Sequence, residues 1–132
     1  MKARVLIVDD EPDFLNLVAF KLVGQGFDVI SAATGLEGLS RARCDAPELI
    51  VLDLMLPDLD GLTVCRILRS QPATRGIPVI ILSALEEPAK SARAQKDKPK
   101  FSCWIKKGVA LEVLTDAIRD ALAHCPTAGE PA

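Results

Sequence analysis

Leu49-Ile50-Val51-Leu52-Asp53-Leu54-Met55 sets four apolar residues in a row ahead of a carboxylate. Turn residues follow at once in Pro57-Asp58-Leu59-Asp60-Gly61. A short apolar run bounded by turn residues predicts a buried strand, here with Asp53 at its carboxyl end. In open parallel α/β sheets, ligands bind in the crevice outside the carboxyl ends of the strands. Taken alone, Asp53 has a second reading, as a cap for the turn that follows. Chemistry at this position requires that other strands deliver groups to the same edge.

Working outward, Arg4-Val5-Leu6-Ile7-Val8 is a second apolar run, and it ends on Asp9-Asp10-Glu11. Pro12 suits the first turn of a helix, where its missing N–H costs nothing. Asp10 or Glu11 can serve as N-cap, but one cap needs one acid and three stand here. The helix runs to about Val23, with Phe14, Leu17, Val18 and Leu22 on one face and Phe20 and Val23 largely off it. Phe27 to Ala32 reads as the second strand, and Thr34 caps a helix from Gly35 to about Cys44. After the Asp53 strand and its loop comes a helix from Leu62 to about Ser70. Pro78 to Leu82 is a fourth strand ending on Ser83, and Phe101 to Ile105 a fifth ending on Lys106-Lys107. The last helix, about Ala110 to His124, carries Leu111, Leu114, Ile118 and Leu122 at three- and four-residue spacing. Strands alternating with helices five times imply right-handed crossovers and a parallel sheet covered on both faces.

Length and composition fit that architecture. The chain has 132 residues, 49% hydrophobic and 26% charged, enough for one ordinary domain with a core. A net charge of -2 offers no basis for binding nucleic acid directly. The longest apolar runs are too short to span a bilayer, and Met1 to Arg4 leads straight into a strand, so a cytoplasmic location without membrane is expected. The four cysteines are more than 20 residues apart, form no C-x-x-C pair and read as reduced apolar residues. Residues 125–132 read as a flexible tail or linker stub after a domain at 1–124. Residues 86–100 are polar and lysine-rich, with three alanines as their only apolar anchors, and are expected to be the least ordered part of the domain.

If all five strands run parallel, one rim gathers Asp9 and Asp10, Asp53, Ser83, and Lys106 or Lys107. Crowded carboxylates raise one another's pKa, and a hard cation relieves the repulsion. Oxygen ligands with room for water suit Mg2+. A lysine and a hydroxyl facing the same point suit a phosphoryl group, and an aspartate can itself accept one as an acyl phosphate.

These motifs resemble the receiver domains of two-component response regulators. The resemblance is carried by Val8-Asp9-Asp10-Glu11-Pro12, by Leu52-Asp53-Leu54-Met55-Leu56-Pro57 with Asp60-Gly61, by Leu82-Ser83-Ala84, and by Trp104-Ile105-Lys106-Lys107. The intervals also fit, 43 residues from Asp10 to Asp53 and 30 from Asp53 to Ser83. The resemblance implies a flavodoxin-like (βα)5 doubly wound sheet in the order 2-1-3-4-5. It implies Asp53 as phosphoacceptor from a sensor histidine kinase or histidine phosphotransfer protein, with an output domain or partner protein downstream. Mg2+ would be held by Asp10, Asp53 and the backbone carbonyl of Met55, with Asp9 acting through water. Ser83 would bind the phosphoryl oxygen, Lys107 would pair with it, and Trp104 would be the switch aromatic. Such a domain is not an enzyme in the usual sense, but promotes its own phosphorylation and dephosphorylation.

The chain departs from the family pattern where Gly108 follows the lysine, a place usually held by proline. A cis bond before a non-proline residue costs about 2.5–4 kcal/mol, so a trans bond is expected. Trp104 also has a plainer reading, as a strand residue packing on the last helix. Two rivals remain in view. A receiver-like interaction module without phosphorylation is opposed by the intact Asp9, Asp10, Asp53, Ser83 and lysine. A haloacid-dehalogenase-type phosphatase would need an aspartate where Met55 stands.

Overall fold

The computed structural model describes residues 2–85 and 99–124. Five strands, β1 (Arg4–Val8), β2 (Asp28–Ala32), β3 (Leu49–Asp53), β4 (Val79–Ser83) and β5 (Cys103–Lys106), alternate with helices α1 (Pro12–Gly24), α2 (Gly35–Asp45), α3 (Gly61–Ser70) and α4 (Leu111–His124). The strands form one parallel sheet in the order β2-β1-β3-β4-β5, the flavodoxin-like order. The expectation for residues 86–100 falls, but for Pro99 and Lys100, outside the described residues, as does the 125–132 tail.

The continuous apolar runs are explained by two-sided burial. Every residue of β3 and β4 is buried, as both faces of a central parallel strand must be. Alternation divides these side chains between two cores. Val5, Ile7, Leu49, Val51, Ile80, Leu82 and Ile105 face Val18 and Leu22 of α1 and Leu114 and Ile118 of α4. Leu6, Val8, Ile50, Leu52, Val79 and Ile81 face Ala42 of α2 and Val64, Cys65 and Leu68 of α3. Fully burying one such side chain stabilises by about 1.5–3 kcal/mol, so the two layers add packing to the ladder hydrogen bonds that join the strands.

Two expectations about packing change. Leu17 is exposed, and Leu15 packs on the core in its place. Leu17 lies about 100° round the helix from Val18, beyond the wedge the sheet covers. Trp104 does not join α4. It groups with the α3-side core beside Phe101, whose ring centroid is 6.1 Å away. Ile105 takes the α4 side instead, because neighbours on a strand point to opposite faces.

Candidate functional site

Register brings the polar strand ends level. Val8 pairs with Leu52, and the Asp9 amide donates to the Ala32 carbonyl at 3.0 Å, so Asp9 and Asp53 end adjacent strands side by side. Asp53 pairs with Leu82, one residue before Ser83. Ser83 pairs with Lys106, and the Lys107 amide donates to the Ser83 carbonyl at 2.7 Å. Asp9, Asp53 and Ser83 are all buried, at 0%, 3% and 0% exposure. Buried charges without partners are costly, so the arrangement around these two carboxylates is informative.

Their partner is Lys107. Its Nζ lies 2.8 Å from Asp9 Oδ2, 3.2 Å from Asp53 Oδ2 and 3.3 Å from Glu11 Oε1. The ammonium also sits 4.8 Å from the centre of the Phe14 ring, within cation–π range. Lys106, one residue earlier, is exposed. Alternation explains the difference: Lys107 continues the side of Ile105, the side on which Asp9 and Asp53 follow Ile7 and Val51. Burial works against the charged Lys107, yet its contacts with Asp9 and Asp53 outweigh that and raise its pKa above the ordinary lysine value. Burial raises the pKa of Asp53, reinforced by the Asp9 charge and opposed by the Met55 N–H and by Lys107.

One acceptor is left short. Asp9 Oδ2 is buried and has no hydrogen bond of acceptable geometry, although the Lys107 ammonium is close. The contact is therefore an ion pair, in which the Lys107 ammonium balances the carboxylate's charge. One carboxylate oxygen from each of Asp9, Asp10 and Asp53 lies within 4.8 Å of the others. Two buried acids and one exposed acid with an unsatisfied oxygen fit a hard divalent cation open to water on one side.

The capping explanation of the acidic cluster does not hold. Glu11 occupies the N-cap position but makes no side-chain bond to the helix, while Asp9 Oδ1 accepts from the Glu11 amide at 2.9 Å. For Asp53 the plain reading is partly right, since Oδ1 accepts from the Met55 amide at 3.2 Å. Its other oxygen faces Lys107.

At the fourth strand end, Ser83 Oγ accepts from the Leu85 amide at 2.9 Å, and the Trp104 Nε1–H donates to the Leu85 carbonyl at 3.0 Å. The backbone N–H and C=O of Leu85 therefore link the two residues. After Lys107 the chain turns through Gly108, with φ +98° and no cis bond among the described residues. A left-handed glycine does the turning there. Below Asp53, a Cβ on Gly61 would stand 2.5 Å from the Asp53 carbonyl oxygen. Only glycine allows α3 to start this close to the strand end.

Residues 5–119 match the model of the response regulator receiver domain family. The chain belongs to that family. This receiver domain is similar over 87 residues (44% identity, 66% of the chain) to the alkaline phosphatase synthesis transcriptional regulatory protein PhoP of Bacillus subtilis, 35% of whose length is covered. Over 86 residues it is 43% identical to the response regulator PleD of Caulobacter vibrioides, covering 65% of this chain and 19% of that protein. The match thus spans about a third or less of these curated relatives. Among solved structures, a CheY-like response regulator receiver domain protein of Methanospirillum hungatei superposes with TM-score 0.82 at 25% identity, covering 93% of this chain and 95% of the other. The signal receiver domain of a histidine kinase from Syntrophus aciditrophicus superposes with TM-score 0.83 at 27% identity, covering 98% and 97%.

Sequence reasoning missed the contacts that three residues make. Glu11 and Phe14 flank the Lys107 ammonium from α1, where their sequence roles were cap and core face. Asp58 was read only as part of a turn, yet it bonds to α2. No local pattern signals any of these, because each partner is more than 20 residues away.

Proposed function

We infer that this receiver domain accepts a phosphoryl group on Asp53 from a phosphohistidine of a sensor histidine kinase or phosphotransfer protein. The observation that supports the reading most directly is the buried Asp53 carboxylate, one oxygen of which faces a lysine and a second buried carboxylate. In the reaction an Asp53 oxygen attacks phosphorus in line with the leaving imidazole. The P–O bond forms as the P–N bond breaks, and the departing nitrogen takes up a proton. Mg2+ held by Asp9, Asp10, Asp53 and the Met55 carbonyl would neutralise charge on the phosphoryl oxygens when bound. Lys107 turns from the carboxylates toward a phosphoryl oxygen. Ser83 gives up its bond from the Leu85 amide and donates its hydroxyl to another. Trp104, tied to the Leu85 carbonyl, feels that exchange through the backbone of one residue, which makes the pair a switch.

The same residues serve hydrolysis, in which water attacks the acyl phosphate, the Asp53–phosphorus bond breaks and inorganic phosphate leaves, so the domain promotes both its phosphorylation and its dephosphorylation. The domain spans residues 1–124, followed by a linker or tail at 125–132, and its output lies in another domain or partner. It works in the cytoplasm and contacts no nucleic acid itself; among the described residues no helix is long and apolar enough to cross a membrane. Incubation with acetyl phosphate and Mg2+, read by intact mass, should add one phosphoryl group. Asp53→Asn or a chelator should abolish it. Labelling that survives either would overturn the assignment.

A further inference from the structure

The first turn of a helix leaves backbone N–H groups without partners inside the helix. In α2, Thr34 Oγ1 accepts from the Glu37 amide at 3.1 Å, and the Gly38 amide opens the intrahelical ladder by donating to the Thr34 carbonyl at 2.9 Å. The remaining two, Gly35 and Leu36, donate to a residue from another element. Asp58 Oδ1 accepts from Gly35 at 2.7 Å and Asp58 Oδ2 from Leu36 at 2.9 Å. A carboxylate at a helix N-terminus is also favoured by the helix dipole, and these two bonds hold the Asp58 pKa below its ordinary value. The fit is close: a Cβ on Gly35 would meet Leu59 Cβ at 3.1 Å and Val64 Cγ2 at 3.0 Å.

Asp58 lies three residues after Met55, in the loop between β3 and α3. At its base this loop is closed by the Gly61 amide donating to the Leu54 carbonyl at 2.7 Å. Met55 itself is 65% exposed and anchors nothing with its side chain. Leu56 and Leu59 pack partly on the core, but apolar contact is non-directional and keeps the loop near without fixing its rotation. The Met55 backbone is held locally by its amide's bond to Asp53 Oδ1 and by a bridge to Asp60, and the two short bonds to the Asp58 carboxylate tie the loop to α2. We propose that Asp58 is a positioning residue for the phosphoryl site: by gripping two amides of α2, it sets the β3–α3 loop and with it the Met55 backbone beside Asp53. This rests on the reading of the Asp53 rim as the phosphoryl and Mg2+ site.

The test compares Asp58→Ala and Asp58→Asn with Thr34→Ala in the full chain. Thr34→Ala uncaps the same helix without touching the loop. Mg2+ binding is measured by calorimetry, and exchange of the Gly61 amide is measured without metal. Asp58→Ala should weaken Mg2+ binding by about tenfold or more, the usual cost of losing an outer support of a metal site, and should speed Gly61 exchange. Asp58→Asn, with one acceptor oxygen instead of two, should fall between. Thr34→Ala should lower the melting temperature yet leave Mg2+ affinity and Gly61 exchange unchanged. Equal behaviour of Asp58→Ala and Thr34→Ala on both readouts would overturn the proposal. If Asp58→Ala does not fold, Asp58→Asn decides by the same two readouts. If the unaltered protein takes up no Mg2+, the site reading fails, and Gly61 exchange alone then decides the role of Asp58, with retained protection overturning it.

Discussion

The two ends of the sheet treat charge in opposite ways. At the carboxyl rim, Asp9 and Asp53 are buried, share one lysine, and leave an oxygen unsatisfied. Toward the amino end, Arg4, Asp28, Arg41 and Asp45 line an open groove of about 600 Å³ along the edge strand β2. There Arg41 pairs with Asp45 at 3.4 Å with both side chains substantially in water, and Arg4 donates to the Asp45 carbonyl. The groove's Arg41–Asp45 pair is open to water, and exposed pairs contribute about 0–1 kcal/mol. The rim instead keeps two carboxylates and their shared lysine largely out of water. Chemistry collects where a fold tolerates such buried charge.

The sharpest way to test this contrast is to remove the buried charge. Asp53→Asn should lose phosphoryl uptake and gain stability. The folded-state pKa of Asp53 is raised above the ordinary 3.8, chiefly by burial. Its ionisation therefore opposes folding at neutral pH, and that penalty vanishes as pH falls through the raised value toward 3.8. The variant should melt higher than the unaltered chain at pH 7, and its advantage should disappear in acid. Thermal melts without metal check this; a lower melting temperature at pH 7 would mean that the ion pair with Lys107 outweighs burial.

Next in size is the lysine. Lys107→Ala should cut acetyl phosphate labelling about 100-fold, the scale of losing one charge-stabilising donor. Lys106→Ala should leave it within about twofold. The reverse order would place the wrong lysine at the rim. A smaller effect is expected at Phe20, 81% exposed on α1 with Leu17 and Val23. Phe20→Ala should slow transfer from the cognate phosphohistidine protein about tenfold, as for a loss at an interface anchor. Its acetyl phosphate labelling and melting temperature should not change. Equal slowing with both donors would assign Phe20 to packing instead. The smallest effect belongs to the amino end, where Arg41→Ala should leave labelling unchanged and shift stability by less than about 0.5 kcal/mol. A larger shift there would erase the contrast between the two ends.

Much of this was legible in the chain itself. Apolar runs of strand length, broken by Pro, Gly and Asp, specify the central strands β1, β3 and β4, because burial on both faces demands unbroken Val, Ile and Leu. These runs and the fifth end on Asp9, Asp53, Ser83 and the lysine pair, so the rim's chemistry could be listed before any contact was known. Other facts depend on tertiary structure because they turn on direction and distance between remote segments. Strand alternation, continued past Ile105, brings Lys107 and not Lys106 to the carboxylates. Trp104 falls on the α3 side, away from α4, for the same reason. Asp58 meets α2 only because the β3–α3 loop folds back across the rim. Local pattern encodes which residues prefer burial and where the backbone turns; which distant polar groups then meet is decided when two cores close on one sheet.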